Sequence, residues 1–174
     1  MKFLARMLLV AALACAVSGC LFKEPVFSEG FAKADASLGG VWVAEGERGD
    51  PRKMEFAVMA PLDDTRFVLH HPAGEKGGMY YEARALTIRG RTVLQLRVLA
   101  TFSDGIPKRD AERYTLLWIE KEDGVQKFRV HTLGGDGVKN KGPADVKKLL
   151  EAPDGDWSTL FSEPTTFRRL EDGD

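Results

Sequence analysis

Cysteine, histidine and serine are the residues here that could act as nucleophiles, metal ligands or proton carriers, and their spacing argues against most of that chemistry. His70 and His71 are adjacent in a strand-like run, so they face opposite sides of a sheet and cannot grip one ion together. His131 falls on the same side of its strand as Lys127 and Arg129, toward solvent. Ser28, Ser37, Ser103, Ser158 and Ser162 stand in none of the G-x-S-x-G settings that expose a serine nucleophile. The run Gly134-Gly135-Asp136-Gly137 lacks the Lys-Ser/Thr ending of a phosphate loop and reads as a turn. Glu82, Glu112, Glu120 and Glu122 have Arg and Lys in neighbouring strands, so cross-strand ion pairs account for them. No metal site, cofactor or catalytic constellation is expected, and the reading is of a protein that is not an enzyme.

The cysteines are different. Both lie in the opening segment, Cys15 within the apolar run MLLVAALACAV and Cys20 just beyond it. No cysteine follows, so the body of the protein must hold together without a structural disulfide. Lys2 and Arg6 precede the apolar run and Ser18 and Gly19 follow it, the layout of a signal peptide. Crossing a membrane takes roughly 20 apolar residues, more than this run offers before Lys23, Glu24 and Pro25.

The four residues Val17-Ser18-Gly19-Cys20 resemble the lipobox of bacterial lipoproteins. That resemblance implies cleavage before Cys20 and a lipid thioether on its sulfur. The new N-terminus would then be held in the bilayer by acyl chains, at about 0.8 kcal/mol per buried methylene. Leu21, where an Asp would resemble an inner-membrane retention signal, implies an outer-membrane location facing the periplasm. The chain thus divides into residues 1–19 as leader, 20–37 as lipidated N-terminus and tether, and 38–174 as the folded domain. A short helix docking through Phe27 and Phe31 is the alternative to a free tether. Removing the leader takes Lys+Arg from 25 to 23 against 26 Asp+Glu, a formal charge of about −3. Such a balance disfavours nucleic acid as a partner.

The remaining residues must be positioned by strands. Alternation places Met54, Phe56, Val58 and Ala60 on one face of a strand, Phe67, Leu69 and His71 on one face of the next, and Leu94, Leu96, Val98 and Ala100 on one face of another. Gly90 marks a hinge between two strand runs, and Asp123-Gly124 suits a two-residue hairpin turn. Leu116 and Trp118 point one way while Leu117 and Ile119 point the other, so the outer face of that strand needs a cover. The segment GPADVKKLLEA supplies one, a helix with Pro143 in its first turn and a stripe of Val146, Leu149 and Leu150. Trp157, Leu160, Phe161 and a last strand in TTFRRLE follow. These elements predict an all-β fold, a small antiparallel up-and-down barrel of about eight strands with one late helix packed outside. A half-barrel or β-sandwich is the alternative.

Gly40-Val41-Trp42 at the first strand, with antiparallel strands throughout, resembles the lipocalin and calycin group. The resemblance implies that Trp42 closes the barrel floor against an arginine of a late strand, Arg168 or Arg169. It also implies a small apolar or amphipathic ligand in a cavity of about 300 Å³ or more, lined by Trp42, Phe56, Phe67 or Phe128. The other functional expectation is a module that docks another envelope protein or a peptidoglycan-associated complex through an exposed apolar patch near Tyr80 and Tyr81.

Overall fold

A computed structural model describes residues 21–45, 55–73, 78–103, 106–108, 112–122 and 126–170. Its strands are β1 (Gly40–Ala44), β2 (Phe56–Pro61), β3 (Arg66–His71), β4 (Met79–Ile88), β5 (Arg91–Ser103), β6 (Ile106–Lys108), β7 (Tyr114–Lys121), β8 (Lys127–Thr132) and β9 (Thr165–Arg169). Eight of them form a closed antiparallel barrel in the order β1-β2-β3-β4-β5-β7-β8-β9. Closure is made by β9 pairing β1, with Trp42 opposite Arg169 and Val43 opposite Arg168. The half-barrel and sandwich alternatives are thereby excluded. β6 is a short return strand on the end of β5. The architecture is lipocalin-like, with one difference: helix α1 (Pro143–Glu151) lies between β8 and β9, before the last strand and not after it.

Local chemistry explains the boundaries. Between β4 and β5, Arg89 and Gly90 both adopt positive φ (52° and 76°), the backbone that a two-residue hairpin requires to match strand twist. Met54 and the expected Asp123-Gly124 turn lie outside the described residues. α1 begins on Pro143, whose missing N–H would have no intrahelical acceptor anyway. Asp145 accepts a hydrogen bond from the Gly142 N–H at 3.2 Å. The glycine run before it is a one-turn 3-10 helix at Asp136–Val138. A side chain at Gly135 or Gly137 would collide with the Thr159 carbonyl, so glycine there permits close packing of two backbones.

Two apolar cores result. The inner one fills the barrel and includes Leu38, Trp42, Phe67, Leu94, Leu96, Ile119, Phe128 and Phe167. The outer one lies on the far side of β4, β5 and β7, where Leu86, Val93 and Leu116 meet Val146 and Leu150 of α1, Trp157 and Phe161. Leu116 and Trp118 face this outer layer and Leu117 and Ile119 face the inside, and the cover is the helix that the stripe demanded. Trp118 packs edge-on against Trp157 at 5.5 Å between ring centres, and the Arg91 guanidinium lies over both rings.

The segment expected as a free tether is docked. Phe22 and Tyr114 exchange backbone hydrogen bonds at 2.8 and 2.9 Å, and Phe22, Val26 and Phe27 are buried in the outer core. The Gln95 side chain acts as a substitute strand for Phe27: its Oε1 accepts from the Phe27 N–H at 2.8 Å, and its Nε2 donates to the Phe27 carbonyl at 2.9 Å. Further along, the Ala32 N–H donates to Ala85 O and the Ala34 N–H to Asp64 O. Phe27 and Phe31 do reach the barrel, Phe31 lying under the Arg84 guanidinium at 4.1 Å, but on extended chain and not on a helix. This stretch was unreadable as structure because single anchors hold it and no period runs through it.

Leu150 of α1 is fully buried against the outer core. Leu150→Ala is expected to destabilise the protein by about 2–5 kcal/mol, by lost burial plus the cavity left behind. Urea unfolding should show the midpoint falling with the slope unchanged.

Candidate functional site

The barrel has two unlike ends. At one end lie Leu38, the start of β1 and the end of β9. Here the Trp42 indole N–H donates to the Leu38 carbonyl at 3.0 Å, and the Arg169 guanidinium stands 5.7 Å from the Trp42 ring centre. Of the two arginines expected to meet Trp42, the one over its ring is Arg169. Gly40 has φ +140°, and a side chain there would press on that guanidinium at 3.2 Å, so glycine fits for two separate reasons. This end is a packed floor.

Above the floor, toward the end where β2 and β4 begin, the interior opens into a cavity of about 140 Å³. Trp42, Ala57, Met59, Leu69, Leu96, Leu117, Ile119, Phe128 and Phe167 form its apolar wall. Trp42 and Phe128 touch each other at its base, 4.2 Å between ring centres. The rim carries the polar groups: Glu55, His71, Tyr81, Thr115, Thr132 and Thr165, with Met79 and Leu21 beside them.

Two expected lining residues are elsewhere. Phe56 is half-buried on the outer face of β2, because Ala57 and Met59 are the residues that turn inward. Both faces of β2 carry apolar residues, so alternation alone gives the pairing of faces and not which one is inside. Phe67 does point inward and is wholly buried, but it belongs to the packed region and lines no part of the cavity. The cavity is also smaller than the 300 Å³ expected.

The histidines separate as alternation demands. His71 points inward, its Nε2 2.8 Å from Glu55 Oε1 at the rim. His70 points outward and stacks on Tyr80, 4.1 Å between ring centres, and burial holds its ring below the ordinary histidine range. Tyr81 is inside, where burial pushes its phenol up to about 12. The Tyr80–Tyr81 pair is therefore one outer ring and one cavity residue. Tyr80 is itself engaged by His70 and Phe102, so the pair presents no continuous exposed patch. His131 faces outward as expected but is not in solvent: it stacks on Trp118 at 4.1 Å and contacts Glu120 Oε2 and the Ser162 carbonyl. The docked outer layer buries it, a tertiary effect that strand alternation does not carry.

Sequence reasoning missed the rim threonines. The Thr115 hydroxyl is buried, lines the cavity and makes no hydrogen bond among the described residues. A buried hydroxyl left unpaired costs free energy that a ligand's polar group could recover. No motif marks such a residue; only closure of the barrel identifies it.

A second recess, about 350 Å³, lies outside the barrel beneath the docked N-terminal segment and is larger but polar. Arg66 and Arg97 contact Glu82 at 3.4 and 3.0 Å, Arg97 reaches Glu112, and Arg84 covers Phe31, while the buried Nε atoms of Arg84 and Arg97 make no hydrogen bond among the described residues. Glu120 and Glu122 meet Arg129 in the same cross-strand manner. The barrel cavity, with its free apolar wall, is the better site for an apolar ligand.

No family model, curated protein or solved structure matches the chain.

The neighbouring His71 ring holds the Glu55 carboxyl below the ordinary carboxylate range, against the opposing effect of burial. A carboxyl depressed in this way adds stability that is complete above its unfolded pKa of about 4.3 and is lost as pH falls through the folded value. Glu55→Gln should therefore flatten the loss of stability on acidification below that pH. Urea midpoints measured from pH 6 to pH 3 in both proteins check it; parallel curves would remove the pair from any role in stability.

Proposed function

We propose that this is a lipid-anchored lipoprotein of the bacterial cell envelope whose barrel binds a small apolar or amphipathic ligand. The observation that carries the ligand half is the one-ended apolar cavity with its polar groups gathered at the rim. Binding sites for small molecules share that division, an apolar body and a few polar groups that fix orientation. At about 140 Å³ the cavity matches the engineered apolar cavity of about 150 Å³ that accepts one benzene. The ligand portion inside is thus one ring or a short length of acyl chain. Its polar end would meet Thr115, His71 and Glu55.

The anchor half is supported by the leader and the Val17-Ser18-Gly19-Cys20 motif. Cys20 and the preceding residues lie outside the described structure. Labelled palmitate should enter the wild-type chain, and Cys20→Ser should abolish incorporation and release the protein to the soluble fraction.

For the cavity, Ala57→Leu places a larger side chain in the wall. The expected result is binding of a single-ring probe, toluene followed by chemical-shift titration, weakened by about tenfold or more, equivalent to about 1.4 kcal/mol. The thermal transition should be retained as the control. Equal affinity in the two proteins would place the probe elsewhere and sink the reading.

A further inference from the structure

We propose that the barrel rides on the bilayer mouth first, so that its cavity opens directly onto lipid. The occupant of the cavity is then the single-chain part of an amphiphile taken from that same membrane. This rests on the reading of Cys20 as the anchor. The structural observation is Leu21, which stands among the cavity-lining residues at the rim. Phe22, next along, is pinned to Tyr114 by two backbone hydrogen bonds, and its ring turns the other way into the outer core.

The rest of the segment leaves no slack. From Phe22 at the mouth the chain runs down the outer wall, held by Gln95, Ala85 and Asp64 in turn, and reaches the floor at Leu38 before β1 begins. Had residues 21–37 been free, they could have spanned about 3.3 Å per residue and let the barrel take any attitude. Docked, they reduce the distance from anchor to rim to a single residue. A lipid on residue 20 therefore holds the mouth, and not the floor, at the membrane surface.

At the mouth Leu21 is 38% exposed, and Ile106 on the β6 extension is 63% exposed. At the floor lie the ion pairs Asp35 with Lys121 and Asp63 with Arg66, together with the exposed apolar side chains Leu62 in the β2–β3 turn and Val41 on β1. Exposed Leu21 and Ile106 close to an anchor suit insertion between headgroups. The unpaired Thr115 hydroxyl just inside the rim, in a residue only 6% exposed, awaits the polar end of the occupant.

The test uses the mature lipidated protein. Cys20 would carry lipid and Cys15 would leave with the leader, so an added cysteine is the one free thiol. Ile106→Cys and Leu62→Cys, both at exposed positions, are labelled with the fluorophore NBD and reconstituted into phosphatidylcholine vesicles containing doxyl-labelled lipid. Flotation is measured first. In protein that floats, the label at 106 is expected to be quenched several-fold more strongly than the label at 62. Equal or reversed quenching in floated protein overturns the orientation while the anchor stands. Failure of the lipidated protein to float overturns the anchor and the orientation with it.

Discussion

Strands β4, β5 and β7 are apolar on both faces, and that constraint organises the molecule. Leu94, Leu96, Leu117 and Ile119 satisfy the inside; Leu86, Val93, Leu116 and Trp118 would otherwise meet water. Hydrophobic burial, at about 25 cal/mol per Å² removed from water, drives everything available onto that outer wall. α1, the turn around Trp157 and the N-terminal segment are three unrelated pieces of chain that answer one need. The route of the N-terminal segment, and with it the position of residue 21 at the rim, follows from that need.

The inner side shows a different division of labour. The floor is made rigid by interactions that reinforce one another: the indole hydrogen bond to Leu38, the Arg169 guanidinium above the ring, and a Gly40 backbone that leaves room for it. The mouth mixes the Thr115, Thr132 and Thr165 hydroxyls with Glu55, His71 and Tyr81, and empty space remains beneath it. A packed end and a loosely filled end in one barrel allow stability and binding to be carried by separate residues.

Much of this could be read from residue order. The strands around Phe67, Leu94 and Leu116, the turn at Gly90, the covering helix and the opposed histidines all follow from period-two or helical spacing and from turn chemistry. What could not be read has a common physical origin. Phe56 is expected in the lining and lies outside, because alternation separates two faces without naming them and Ala57 and Met59 are the residues of β2 that turn inward. The docking of residues 21–37 relies on scattered contacts, the Gln95 amide among them, with residues far away in sequence, which no local pattern reveals. His131 sits on the face its strand predicts, yet its environment is decided by Trp118 and Ser162. The cavity's own volume is a difference between packed side chains and a closed wall, so it exists only once both are in place.

The seam that shuts the barrel joins Trp42 to Arg169, nearly the first and last strand residues of the chain. Contacts so distant along the backbone carry a high loop-closure cost and form late. A polypeptide emerging from the ribosome or threading through a membrane pore therefore has no complete wall until its final residues are free. The edges of β1 and β8 that β9 will join stay unmatched for that whole interval, and unpaired edges of this kind can pair with other chains.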